Sequence, residues 1–537
     1  VPPVEVIQET PKPPKKKAVK KKPPAPAPAP VEQIVEAPPV IEPGSLILMS
    51  PVGGSEIPIQ KVPNAVSTTS GSTFDDVPTA TPQNVLQSRI PGVIITDLQG
   101  NDFQTEVQYR GFSSSPVNGV PQGIAVYQNG VRINESFGDI VNWDFLPSNA
   151  IDGITVVPGN PVFGLNAIGG AISLTMRDGF NFQGTELDVQ FGSHSRIWGS
   201  VATGMQSESG VFSAFLALEG VDDEGWRDFS PSEIKRMYAD IGMKTENGEF
   251  HINFTGADNY VGVVAASPER LLDVDWNRTF TSPQTTENEL AMVSLNGKYK
   301  ATETLTLSGV GYYRKFKQKH DDGNLAEFEA CEEANIDQDD LDDLEAAHPG
   351  ADPEDYLCGE EESNGEQEFL TGPGGSFLEI ADVISAPFDP DELPLGSIDR
   401  TSQDAESYGA TVQAVSKANI FGFNNQFLIG ASFDHGEVDY TANSEPGEIT
   451  ERFVVDGSGI VLEGPDEFVP RDLTTQNDYY GVYFSNTLDL TNQLAVTVGG
   501  RYNYAEIEIA DNTGEAPELN GTNTFERFNP MAGATYQ

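Results

Sequence analysis

Cationic residues are scarce in this chain. Of 537 residues, 31 are Lys or Arg and 82 are Asp or Glu, a formal net charge of −51. Binding to nucleic acid needs clustered cations to meet phosphates, so this balance argues against it. It fits an exported, solvated protein with acidic loops. Long hydrophobic runs are also missing. Nowhere do about 18 apolar residues follow one another, so no transmembrane helix is visible. A β-barrel stays open, because its alternating strands of about 10 residues escape a hydropathy average. The five histidines, His194, His251, His320, His348 and His435, form no ligand cluster. His-Glu-x-x-His, a Walker loop and Gly-x-Ser-x-Gly are all lacking. The Gly-rich run 164–170 has no Lys after it, which a phosphate cradle requires. These absences read as a non-enzyme with no resident metal or cofactor. No initiating Met and no signal peptide are present, so Val1 reads as a processed or trimmed terminus. Glycine is plentiful, with 53 residues, as a turn-rich β protein needs.

What is present is organised around residues 81–176. Thr81 and Pro82 read as the N-cap and first position of a short helix, which ends in the Pro91-Gly92 turn. Short strands follow at Val93-Ile94-Ile95, at Glu106-Val107-Gln108-Tyr109-Arg110 and at Ile124-Ala125-Val126-Tyr127. The last turns on Asn129-Gly130, a hairpin signal. Two further runs, 150–159 and 163–176, complete a small mixed α/β domain with many Gly-pinned turns.

In this order and spacing, Ile90-Pro91-Gly92-Val93, Tyr109-Arg110-Gly111-Phe112, Val126-Tyr127-Gln128-Asn129-Gly130-Val131 and the run 154–176 resemble the plug domain of TonB-dependent outer-membrane receptors. The chain departs from that family at two places. It has Val157-Pro158-Gly159-Asn160-Pro161 where the family usually has an acidic residue and Arg-Gly-Pro. It has Asn129-Gly130 where Asp-Gly is common. The resemblance implies an N-terminal α/β plug inside an antiparallel transmembrane β-barrel, in a mainly β chain of the bacterial outer membrane.

Residues 1–44 are rich in Pro and Lys and carry too little apolar surface to fold, so they read as an extended periplasmic spacer. A sharper reading is a basic arm touching anionic headgroups or peptidoglycan. An apolar island at 45–52 follows. The family pairs a short strand here with the energy-coupling protein TonB, which places the TonB-binding segment at Leu46, Ile47, Leu48, Met49 and Ser50. A free β-prone strand offers backbone groups for strand addition. Val4-Glu5-Val6-Ile7 and Ile34-Val35-Glu36 compete for that role, and a home-packed first plug strand is the bland alternative. The plug is then expected at 53–180.

From Thr185 the pattern alternates strictly, as in Phe250, Ile252 and Phe254 against His251, Asn253 and Thr255, or Leu494, Val496 and Val498 against Ala495 and Thr497. Tyr312-Tyr313, Tyr479-Tyr480, Tyr483-Phe484 and Tyr502 are expected near strand ends, as interfacial girdles. About a dozen strands fit between 181 and 537, whereas barrels that enclose a plug have about 22. Because the chain also stops within a strand-like run, the sequence reads as an incomplete barrel. Residues 319–402 read as a long, solvated, acidic extracellular loop. Its run 337–345 lacks the Gly and spacing of an EF-hand. In an exported protein Cys331 and Cys358, both in this loop, read as a disulfide, with two unpaired thiols as the alternative.

The resemblance implies import of a scarce ligand, most often a ferric siderophore or other metal chelate. TonB and its inner-membrane energising complex would be partners, and outer-membrane lipid would surround the barrel. Candidate ligand contacts lie at the plug apices 103–105, 113–122 and 135–143: Phe103, Gln104, Ser113, Ser114, Asn118, Gln122, Phe137 and Trp143. The rival reading is a surface-exposed adhesin or structural barrel without transport.

Overall fold

The computed structural model describes residues 46–77, 81–264, 266–360, 366–384, 394–465 and 468–537. The Lys/Pro-rich extension, with the rival segments at 4–7 and 34–36, lies outside them.

Near the N-terminus, β1 (Leu46–Ile47) pairs with β2 (Ile57–Pro58). The plug sheet takes β3 (Ser67–Ser70), β7 (Ile124–Gln128), β8 (Val131–Arg132), β9 (Ile151–Val157) and β10 (Gly170–Met176), in the order β3-β9-β10-β7-β8. Between β3 and β7 come α1 (Thr73–Asp76), α2 (Pro82–Arg89) and the small sheet β4 (Val93–Thr96), β5 (Glu106–Tyr109) and β6 (Phe112–Ser114). The β7–β8 turn is Asn129-Gly130, at φ 47° and 89°. Two successive positive φ values are what a type I′ hairpin demands and what this dipeptide supplies.

The second sheet is a wall. Its strands are β11 (Gly184–Phe191), β12 (Ile197–Gln206), β13 (Phe212–Asp223), β14 (Ser232–Lys244), β15 (Gly248–Gly262), β16 (Gln284–Lys300) and β17 (Leu305–Leu325). It continues through β23 (Leu395–Ser416), β24 (Asn425–Ile449), β26 (Arg471–Asp489), β27 (Leu494–Asp511) and β28 (Gly521–Tyr536). Each pairs antiparallel with the next, and β25 (Val455–Gly457) flanks β24. These twelve sequential wall strands agree with the dozen expected.

The wall is inside out. On β15, Ile252 is 41% exposed and its neighbour Asn253 is 2% exposed. The rule repeats across the sheet: Leu307, Val412, Ile429, Val482 and Val498 are exposed, while Ser308, Gln413, Thr487 and Thr497 are buried. A water-soluble sheet would bury its apolar face. Here the polar face packs on the plug and the apolar face looks outward, the arrangement that hydrocarbon surroundings favour. Each tyrosine pair divides accordingly. Tyr313, Tyr480, Phe484 and Tyr502 point out, whereas their partners Tyr312, Tyr479 and Tyr483 take inward register positions. Strands of up to 25 residues far exceed the roughly 10 that cross a bilayer, so the aromatic belt sits within them rather than at their ends. Tyr408, Phe433, Tyr480 and Tyr504 make that belt across β23, β24, β26 and β27, with successive ring centroids 5.1–6.2 Å apart. Beside it lie the surface ion pairs Lys315–Glu406 (2.9 Å) and Lys317–Asp404 (2.9 Å), marking where the apolar band ends.

Connections alternate in length. At one end run 207–211, 245–247, 301–304, 417–424 and 490–493, and at the other 192–196, 224–231, 263–283, 326–394, 450–470 and 512–520. The 263–283 connection carries α3 (Glu269–Leu272). The longest, 326–394, corrects the expectation of a loop over 319–402. The outer parts of that range, 319–325 and 395–402, belong to β17 and β23, and its middle folds. It contains β18 (Phe328–Ala330), α4 (Gln338–Ala347), β19 (Leu357–Glu360), β20 (Gln367–Phe369), β21 (Thr371–Gly372), β22 (Ser376–Phe377) and α5 (Ile380–Val383). Cys331 and Cys358 are joined in a disulfide. Around it pack Ile336, Leu344, Tyr356 and Phe369, and a second core joins Phe328, Leu357, Leu370 and Leu378 to Leu462 and Phe468 of the 450–470 connection. The acidic run 337–345 spans the N-cap Asp337 and most of α4, whose carboxylates face water around one buried residue, Leu344. Among the described residues no His, Cys, Asp and Glu group could hold a metal ion.

Candidate functional site

The plug runs the length of the wall. Its N-terminal end meets the short turns, where Lys61 pairs with Asp489 at 2.6 Å and Gln426 donates to the Ser55 carbonyl at 2.8 Å. Its other end meets the long connections: Asn101 Nδ2 donates to the Gly262 carbonyl at 3.0 Å, and Gly100 lies against Val264.

Between these ends one side of the seat is apolar. Ile154, Leu174 and Met176 of the plug share a core with Ala202, Phe215, Ala217 and Tyr238 of the wall. The rest is a polar seam. Asp144 accepts from Gln104 (3.0 Å), Asn259 (2.8 Å) and Asn288 (3.1 Å), and its carbonyl accepts from Arg236 (3.1 Å). Arg236 in turn pairs with Glu219 at 3.1 Å, both fully buried, and Glu219 accepts the Ser148 amide of the plug at 2.9 Å. Burial pushes the Asp144 carboxyl above its usual range, and the Asn259 and Asn288 hydrogen bonds oppose that shift. Farther round, Arg314 of β17 grips plug Glu135 with both terminal nitrogens, one at 2.6 Å. Arg501 of β27 reaches the Val162 carbonyl.

The TonB-binding assignment to Leu46–Ser50 meets a packed segment. Ile47, Met49 and Ser50 are buried, and Ile47 and Met49 join Ile57 and Val62 in a cluster that reaches Met531. Ser50 donates to Gln413 at 2.7 Å. Leu46 is exposed and Leu48 half-buried. The stretch is therefore a home strand with one paired edge, not a free one. Its partners lie at 57–58 and near the chain's far end, beyond what a local pattern conveys.

The candidate ligand residues divide. Phe103 sits in a core with Trp198, Val221 and Ile234, Trp143 belongs to the main plug core, and Gln104 and Ser114 are buried. An aromatic or polar side chain in a turn reads equally as contact or as packing, and all four of these are buried. Ser113 and Gln122 are half-buried and bridged to each other, and Asn118 is exposed. Phe137 stacks on Tyr440 of the wall, centroids 5.0 Å apart and 24° between planes. It also lines a cavity of about 350 Å³ with Arg132, Ser136, Asp139, Leu165 and Asn166 of the plug and Thr475, Asn477, Tyr479, Ile507 and Ile509 of the wall. Arg132 is ion-paired to Asp139, which also accepts from Asn166 at 2.5 Å. Asn477 Nδ2 donates to the Ser136 carbonyl at 2.6 Å. Sequence reading missed Arg314, Asp144 and Arg501, and had Glu135 only as the first residue of the 135–143 apex. Arg314 and Arg501 did carry a signal, each a cation at an inward position of an alternating strand.

A plug seated by polar contacts in a lipid-facing wall, with a cavity between its tip and that wall, defines a plugged outer-membrane β-barrel. Residues 58–171 match the TonB-dependent receptor plug domain, and residues 226–537 match the TonB-dependent receptor-like β-barrel. The chain belongs to the TonB-dependent receptor family, whose members are outer-membrane β-barrels and receptors rather than enzymes. No curated protein sequence matches it. Among solved structures it is similar to the ferric citrate transporter FecA in its unliganded form, at 12% identity and a TM-score of 0.59, covering 88% of this chain and 60% of that one. The ferric preacinetobactin receptor BauA of Acinetobacter baumannii is similar at 12% identity and a TM-score of 0.60, covering 91% and 63%. The ferric-catecholate import receptor Fiu of E. coli K12, in its open form, is similar at 13% identity and a TM-score of 0.58, covering 89% and 66%. The chain thus spans roughly three fifths of the first of these proteins, and the likeness concerns fold.

Proposed function

We propose that the protein imports a scarce ligand, a ferric siderophore or another metal chelate, across the outer membrane, with uptake coupled to the proton-motive force through TonB. The observation that carries this reading is the polar seam between plug and wall. Its neutral amide hydrogen bonds can be exchanged for bonds to water at a net cost of about 1 kcal/mol each, and the buried Glu135–Arg314 pair is the contact that a pull on the plug must break. Ligand bound at the plug tip would bias the plug toward a state that releases β1 from β2, and TonB would add a strand to it.

The substitution Leu48→Pro tests this, because Pro removes a backbone donor from the strand to be recruited. Cells carrying it should bind cargo as before and lose energised uptake. Unchanged energised uptake would rule out this segment as the coupling strand. Binding by the parent protein with no energy-dependent uptake at all would favour a non-transporting surface barrel.

A further inference from the structure

The strands β1 and β2 are two residues long, with Leu46 opposite Pro58 and Ile47 opposite Ile57. A two-stranded pairing of that size is marginal by itself. What keeps β1 at home is its apolar cluster and the loop, 48–56, that joins it to β2. A buried side chain of the wall grips that loop. Gln413 of β23 donates from Nε2 to the carbonyls of Gly53 (2.9 Å) and Val52 (3.0 Å), and its Oε1 accepts from Ser50 at 2.7 Å. Gln426 of β24 adds the bond to the Ser55 carbonyl, and Asn160 of the plug adds one to the Met49 carbonyl at 3.1 Å.

Each half of the Gln413 contact has partners in reserve. On the wall, Ser308 Oγ lies 3.0 Å from its Nε2 and Tyr483 Oη 3.3 Å from its Oε1. Within the loop, Ser50 Oγ lies 3.0 Å from Ser55 Oγ and 3.1 Å from the Val52 carbonyl. When the loop leaves, neither the amide nor the hydroxyl is stranded, and stranding is what makes the loss of a hydrogen bond expensive. The body of the plug is held differently, because parting Glu135 from Arg314 separates two buried charges. The loop is therefore the part built to come off the wall first.

We propose that Gln413 is a positioning residue that latches the β1–β2 loop to the wall and so sets how readily β1 is released for strand addition. The role of β1 in this inference rests on the import reading above; the latch does not.

Hydrogen exchange, read by mass spectrometry on the full-length protein in detergent without cargo, tests the latch. Gln413→Met keeps the length of the side chain and removes its N–H donors and carbonyl. A neutral hydrogen bond is worth about a factor of five net, so losing the two to Val52 and Gly53 should speed exchange over 46–58 at least about tenfold. Gln413→Ala should do the same. Exchange in β9, β10 and β14–β16 should stay as in the parent. Unmoved exchange over 46–58 would overturn the latch and leave the import reading intact. An effect of Gln413→Ala that Gln413→Met lacks would also overturn it, marking Gln413 as a space filler. So would a rise spread evenly over the plug, marking it as a support of the whole fold. The purified periplasmic domain of TonB should bind the Gln413→Met protein at least about tenfold more tightly than the parent. Faster exchange over 46–58 with no gain in TonB binding would uphold the latch and remove this segment as the coupling strand.

Discussion

At the residue scale, the seat of the plug depends on buried charges that must stay paired. Glu135 and Arg314 have side chains that are 2% and 4% exposed. Removing one partner leaves the other charge buried without compensation, so Glu135→Ala should cost about 3–5 kcal/mol. Removing both should cost less than the sum of the two single losses. Chemical denaturation of the four proteins in one detergent gives the cycle, and additive losses would show that the pair is not coupled. Asp144 makes a different prediction. Its carboxyl is held above the usual range by burial, so the folded state binds that proton more tightly than the unfolded state does. Its stabilising contribution is therefore complete below the ordinary carboxylate pKa of about 4 and is lost as the pH rises through the raised value. Melting temperature against pH should fall more steeply above about 4 for the parent protein than for Asp144→Asn. Parallel profiles would contradict the assignment.

At the element scale, the described part of the 326–394 insertion folds around its own cross-link. The Cys331–Cys358 disulfide closes a segment with a sequence separation of 27, for which about 2–4 kcal/mol is typical. Cys331→Ser with Cys358→Ser should therefore raise hydrogen exchange in α4 and β18–β20 without changing exchange in β14–β16. Equal protection in both regions before and after would mean that the two cores hold the insertion unaided. Elements differ in how far the sequence discloses them. The β7–β8 hairpin is legible because Asn129 and Gly130 meet a purely local demand for positive φ. The helix α2 starts at Pro82 for the same kind of reason. The insertion is not legible as a fold, because Phe328, Leu357, Leu370 and Leu378 are apolar residues scattered among carboxylates and meet only once the chain doubles back. Nor is the home pairing of β1, which needs Ile57, Val62 and Met531. Within the site, Phe137 lines the cavity at the plug tip, while Phe103 and Trp143 carry the same aromatic signal and are buried in cores.

For the whole molecule, alternation declares a sheet with two unlike faces but not which face meets water. Phe250, Ile252 and Phe254 would serve a soluble sandwich as well as a barrel. The plug decides it, because its polar and apolar surfaces occupy the His251, Asn253 and Thr255 side, which leaves the phenyl and isoleucine side outward. Everything proposed for transport presupposes that orientation. It is tested most directly by spin-labelling positions 250–255 one at a time in the full-length protein in lipid vesicles and measuring relaxation by oxygen and by a water-soluble nickel chelate. Labels at 250, 252 and 254 should respond to oxygen and not to nickel, and labels at 251, 253 and 255 should respond to neither. Nickel accessibility at 250, 252 and 254, or oxygen accessibility at 251, 253 and 255, would contradict a plugged wall facing lipid.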